Sequence, residues 1–142
     1  MCTVCYIPML EGQSPGVKEW LEEARTRYDV IPVLLPQADW NNDLTPWPAD
    51  PVFKKGKAFG GKAGNYLNRL EKEILPGIEM KMDIIPEERW LLGVSLARLF
   101  AVWASARSNA FTRIAAISGS FWYPVIPRLE QAMNLFRQKN QK

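Results

Sequence analysis

The stretch Trp90-Leu91-Leu92-Gly93-Val94-Ser95-Leu96-Ala97-Arg98-Leu99-Phe100 decides how this chain is read. Trp90 to Val94 is an apolar run of strand length. From Leu96 the apolar residues Leu96, Leu99, Phe100, Val102 and Trp103 recur at helical spacing. Strand and helix therefore meet at Ser95 with no loop between them. Gly93 and Ala97, two positions to either side, are small enough to let the strand and the helix approach closely. A serine on such a turn projects its hydroxyl from the carboxyl end of a sheet, as a serine nucleophile does. The backbone N–H of Leu96 opens the helix and points to where negative charge would develop on a substrate. The plainer reading is that Ser95 only caps the helix that follows it.

Working outward, the chain alternates strands and helices. Thr3 to Met9 is an apolar run that ends at the turn Glu11-Gly12-Gln13. Ser14 caps a helix with Pro15 at its first position, continued by Val17, Trp20, Leu21, Ala24 and Tyr28. Asp29 ends it. Val30 to Leu35 reads as a second strand, where Pro32 is tolerable only near the strand start or on an edge. Tyr66, Leu67, Leu70, Ile74, Leu75 and Ile78 mark a further helix, with a kink or break expected near Glu73 to Leu75 because Pro76 removes a hydrogen bond. Trp90 to Val94 is the third strand. Ile114 to Ile117 is the fourth, closed by Ser118-Gly119-Ser120.

This alternation implies an α/β fold, a mostly parallel sheet of about four strands with helices on both faces. The 142 residues suit one domain. Between positions 36 and 60 the periodicity disappears among Pro36, Pro46, Pro48 and Pro51. That stretch reads as a long proline- and aromatic-rich loop in which Trp40 and Trp47 wall a pocket. Residues 124–142 read as a helix-compatible tail through Leu129, Met133 and Phe136.

Bulk properties exclude several partners. A net charge of +3 is too small to point to a polyanion, and Lys54, Lys55, Lys57 and Lys62 read as a solvated loop rather than a nucleic-acid surface. Arg98 and Gly93 interrupt the most apolar stretch, so no membrane span is expected, and the absence of a secretory signal makes a cytoplasmic location the default. Cys2 and Cys5 lie three apart on a strand, which sends them to opposite faces, and they read as reduced, buried thiols. With no histidine in the sequence, no metal site is expected, and Glu11-Gly12-Gln13-Ser14-Pro15-Gly16 lacks the spacing of a phosphate loop. No cofactor is expected.

Three stretches carry a family resemblance: Asp39-Trp40-Asn41-Asn42-Asp43-Leu44-Thr45-Pro46-Trp47-Pro48, Gly93-Val94-Ser95-Leu96-Ala97 and Ala116-Ile117-Ser118-Gly119-Ser120-Phe121-Trp122-Tyr123. On these the chain resembles esterases of the α/β-hydrolase superfamily, in the branch related to enterochelin esterases, over about residues 1 to 123. The resemblance implies a doubly wound sheet whose serine attacks an ester carbonyl. It maps Ser95 onto the nucleophile, and Leu96 and Gln13 (beside Gly12) onto the two oxyanion donors.

It also implies that the family's earlier edge strands and its later acid and histidine are not among these residues. No histidine exists elsewhere to substitute. The family usually has glycine at the position of Arg98, and a guanidinium cannot serve as the base. Two functions stay open: a serine carboxylesterase acting on a small ester, or a non-catalytic binding or interaction module, or truncated fragment, of the same fold. A flavodoxin-like binding domain is the weaker third. An uncovered edge at the fourth strand would also favour self-association.

Overall fold

The computed structural model describes residues 2–10, 17–37, 39–51 and 56–117. The turn Glu11-Gly12-Gln13, the Ser118-Gly119-Ser120 closure and the 124–142 tail lie outside them. Four strands form a parallel sheet: β1 (Thr3–Leu10), β2 (Ile31–Gln37), β5 (Glu88–Val94) and β6 (Arg113–Ile117), in the order β2-β1-β5-β6. A helix α1 (Val17–Tyr28) joins β1 to β2 and ends where Asp29 takes φ +53°. Asp accepts this left-handed conformation more readily than most residues. Pro32 is the second residue of an edge strand, where its missing N–H does least harm.

Alternation along the strands sorts the core. Val4, Tyr6, Leu35 and Leu91 pack with the helices after β2 and β5, in a cluster that includes Leu70, Leu75, Ala97, Phe100 and Ala104. Cys5, Ile7 and Met9 face the other way and are also buried. From β1 the chain crosses to β2 in one direction, and from β2 it returns past β1 to β5 in the other. Right-handed crossovers therefore place α1 on the face opposite the later helices. Cys5 is fully buried and its thiol is pushed well above the ordinary value by desolvation, while Cys2 is only half-buried.

Two segments differ from the sequence reading. The stretch expected to be structureless between 36 and 60 has its own architecture. Strand β2 runs on through Gln37, a turn of helix α2 (Trp40–Asp43) follows, and β3 (Pro48–Ala49) pairs antiparallel with β4 (Phe59–Gly60). Thr45 ties the segment together. Its hydroxyl donates to the Asn41 carbonyl at 2.7 Å and accepts from the Gly61 N–H at 2.9 Å, and its carbonyl accepts from the Ala63 N–H at 3.0 Å. Gly61, at φ +68°, passes so close to Pro48 that a Cβ would lie 2.4 Å from its nitrogen. Bonds of this kind leave no hydrophobic period to read.

The second difference is the Pro76 helix, which does not break. It runs as α3 (Ala63–Arg69), a π-helical stretch (Leu70–Ile74) and α4 (Leu75–Lys81). Proline cannot donate one turn back and its ring crowds the carbonyl there. The wider π turn just ahead of Pro76 accommodates both defects.

Helix α4 is tied to the sheet by charge. Glu79, 6% exposed, accepts from the Arg89 guanidinium at 2.5–3.0 Å and from the Tyr6 hydroxyl at 3.1 Å. Burial and the neighbouring carboxylate both hold the Tyr6 phenol well above its usual range, so it stays a donor. Arg89→Met strands this carboxylate and should lower the unfolding free energy by about 3 kcal/mol. Tyr6→Phe should cost about 1 kcal/mol. Urea denaturation of the two variants checks both values, and equal losses would contradict the assignment of the charge to Arg89.

Candidate active site

The sheet order reverses between β1 and β5, which both begin crossovers leaving in opposite directions. In open α/β sheets, ligands bind in the crevice beyond the carboxyl ends of strands at such a reversal. Here the ladder between the two strands stops short of that end. The β1–β5 pairing ends at Tyr6↔Leu91, two residues before Pro8, whereas β1–β2 pairing continues to Leu10↔Gln37. Pro8 has no N–H to give to a ladder.

Ser95 stands at the β5 side of this crevice, between β5 and α5 (Leu96–Arg107). Its backbone is at φ +62°, ψ −127°, a conformation that costs a non-glycine residue about 1–3 kcal/mol. The cause lies in its neighbours. A Cβ on Gly93 would sit 2.2 Å from the Ala97 carbonyl oxygen and 2.9 Å from the Arg98 nitrogen. Ala97 itself has no exposed surface. Strand and helix touch backbone to backbone, and the one residue between them must turn sharply.

The Ser95 side chain makes no capping hydrogen bond to its helix, and the residue is half-buried. This sets aside the capping reading. The Ser95 carbonyl instead accepts from the Arg98 N–H at 3.0 Å. Leu96 is the first helical residue, so its N–H has no carbonyl one turn back within α5. The Arg98 side chain is exposed and does not prevent the close packing of the helix on the strand.

Other expected site residues fall elsewhere. Gly12 and Gln13 lie outside the described residues. Trp47 is 58% exposed. Trp40 is half-buried against the core, and its indole Nε1 is enclosed with no hydrogen-bond partner among the described residues. Neither tryptophan lines the cavity that opens beside the crevice. That cavity, about 650 Å³, is bounded by the end of β2 and by α2, α3, the π stretch and α4. Its walls include Gln37, Asp43, Tyr66, Arg69, Ile74 and Ile78. Gln37 and Tyr66 are buried, and the Gln37 amide donates to the Tyr66 hydroxyl. Burial raises the Tyr66 phenol to about 12, against the opposing effect of that hydrogen bond. Asp43 pairs with Arg69 at 3.3 Å, and the Arg69 guanidinium lies 5.4 Å from the centre of the Tyr66 ring.

In the sequence, Tyr66, Ile74 and Ile78 stand only as one face of a helix and Asp43 only in a family stretch, with nothing to bring them together with Gln37 and Arg69. The one available signal was Gln37, a polar side chain closing the apolar run Val33-Leu34-Leu35 at the carboxyl end of its strand. Among the described residues, no three His, Cys, Asp or Glu side chains are grouped to hold a metal ion, and no helix is long and apolar enough to cross a membrane.

The parallel sheet in this order, with a strained serine at the strand-to-helix turn, defines an α/β-hydrolase fold. A family model described as "Putative esterase" matches residues 12–141, and the chain belongs to that family. It is 33% identical over 85 residues to "Uncharacterized protein YbbA" of Bacillus subtilis, covering 58% of this chain and 34% of that protein. Solved structures share the fold. An IroE-like serine hydrolase from Shewanella oneidensis superposes with a TM-score of 0.62 at 22% identity over 94% of this chain and 45% of its own. The BES protein from Bacillus cereus gives 0.60 at 24%, over 97% and 59%. The siderophore hydrolase EstA from Aspergillus nidulans gives 0.59 at 21%, over 93% and 51%. The chain thus spans about a third of the curated relative's length and about half of each structure's.

The turn makes opposite predictions for its two key residues. Ser95→Gly relieves the positive φ and should raise stability by about 1 kcal/mol. Gly93→Ala drives a methyl group into the Ala97 carbonyl and should lower stability by about 2–3 kcal/mol. Thermal or urea unfolding of both variants measures this, and a destabilised Ser95→Gly would contradict the strain.

Proposed function

We propose that this chain carries the nucleophile side of a serine esterase, with Ser95 forming an acyl-enzyme. The observation that carries the reading is the Ser95 backbone at φ +62° with its hydroxyl free of any cap. Ser95 Oγ attacks the ester carbonyl and gives up its proton to a base. The resulting oxyanion is met by the Leu96 N–H, with Gln13 supplying a second N–H beside Gly12. Collapse of the intermediate breaks the ester C–O bond, and the alcohol leaves with a proton. Water then releases the acid by the same route. Membership of an esterase family supports the substrate class, an ester.

The base is the missing part. The 142 residues contain no histidine, so on this reading the imidazole belongs to a residue outside them. That same fact is what favours the second reading, a binding module of hydrolase fold without turnover of its own.

Free imidazole separates the two. With p-nitrophenyl acetate, the esterase reading expects an imidazole-dependent acceleration, up to about 10³-fold above the matched imidazole blank, from the oxyanion site and binding. Ser95→Ala should abolish it. Equal rates for the wild-type chain and Ser95→Ala at every imidazole concentration would overturn the esterase reading.

A further inference from the structure

The cavity runs between the edge strand β2 and the 63–81 helix, and its Gln37–Tyr66 end lies at the same carboxyl end of the sheet as Ser95. Leu10 pairs with Gln37 on one side of β1, and β5 with Ser95 at its end lies on the other. Two strand spacings separate Gln37 from Ser95, at least about 10 Å. That is the reach of a substrate group several bonds beyond the ester carbonyl.

Two polar side chains sit deep in the lining of this cavity. Gln37 is 3% exposed and Tyr66 4%. The Gln37 amide donates both its protons, to the Leu35 carbonyl at 2.9 Å and to the Tyr66 oxygen. Its own Oε1 has no donor among the described residues. The Tyr66 hydroxyl accepts from Gln37, which leaves its proton without an acceptor among them. The wall thus offers one acceptor and one donor, deeply set and fixed in direction by each other. Neither atom is sealed off without a partner as the Trp40 Nε1 is, so a ligand with matching groups would take the place of solvent in the cavity.

Charge on the wall is balanced. Asp39 and Asp43 offset Lys62 and Arg69, and Asp43 is already paired with Arg69. A net charge on the ligand would gain no matching excess of opposite charge from this wall. The π stretch adds shape. One extra residue in the turn brings Ile74 and Ile78, rather than Glu73 and Gly77, round to the cavity side with Arg69. The floor beyond the polar pair is therefore apolar.

We propose that this cavity is the subsite for the part of the ester substrate beyond the scissile bond, and that it takes a neutral amide- or hydroxyl-bearing group. Gln37 Oε1 accepts a hydrogen bond from it and Tyr66 Oη donates one. The proposal rests on the esterase reading for the word substrate, but the pocket can be tested without catalysis.

The test is titration of the chain by isothermal calorimetry or NMR with two probes of similar size, N-acetylserinamide and butyl acetate. N-acetylserinamide should bind saturably and more tightly than butyl acetate. Tyr66→Phe keeps the ring in place and should weaken it about three- to tenfold while leaving butyl acetate unchanged. Gln37→Glu, which replaces the amide by a charged acceptor of the same shape, should weaken it as well. Ser95→Ala should not alter either affinity. Thermal unfolding confirms that each variant is folded. No saturable binding of N-acetylserinamide, a preference for butyl acetate, or affinities unmoved in both cavity variants would overturn the proposal. Intact, Tyr66-dependent binding in a chain that shows no Ser95-dependent turnover with imidazole would instead sink the esterase reading and leave a neutral-polar binding pocket.

Discussion

A backbone contact between one strand and one helix governs the rest of this molecule. Gly93 in β5 and Ala97 in α5 approach so closely that a single methyl group on the glycine would collide with the helix carbonyl. The chain between them has one residue in which to reverse direction, and Ser95 absorbs the turn as a positive φ. The strain is held in place by burial on both sides. Leu91 and Leu92 precede it and Ala97, Phe100 and Ala101 follow, all without exposed surface. A serine held this way cannot relax into a helix cap. Its hydroxyl is left for something else.

The same packing sets where that hydroxyl sits. Because β5 is laid down beside β1 after the chain has already built β2 on the other side, Ser95 emerges at the reversal in strand order. Pro8 has no N–H to give, and the ladder between β1 and β5 ends at Tyr6↔Leu91, short of the carboxyl ends where Ser95 sits. The ion pair of Glu79 with Arg89 fastens the opposite end of β5 to α4, which keeps the helix layer in place under the crevice. The polar wall of Gln37 and Tyr66 follows from this frame, since it forms where α3 crosses the last residue of β2. Tyr66 and Phe100 meet at 5.4 Å between ring centres, linking that wall to the helix that follows Ser95.

Much of the frame was legible in the sequence. Long apolar runs such as Leu91 to Val94 and helical spacing from Leu96 to Trp103 express burial directly, and burial is what periodicity records. The Gly93–Ser95–Ala97 turn was legible because steric limits leave few residue choices there. The Thr45-centred segment was not. Its order comes from side-chain bonds to backbone atoms distant in sequence, such as Asn41 to Lys57, and from glycines needed for contact rather than for a turn signal. The π stretch before Pro76 escaped for a related reason. A proline announces a defect in the helix but not how the chain accommodates it. The Gln37–Tyr66 pair joins residues 29 positions apart, and only the fold brings them together.

If the turn makes Ser95 a nucleophile, a covalent trap should find it. The chain would be incubated with an alkyl fluorophosphonate, with and without imidazole, and the adduct located by mass spectrometry of peptides. One phosphonyl adduct is expected, on Ser95, formed faster with imidazole and absent from unfolded chain. Modification spread over other serines such as Ser105 and Ser108, or none on Ser95 in the folded chain with imidazole present, would contradict it.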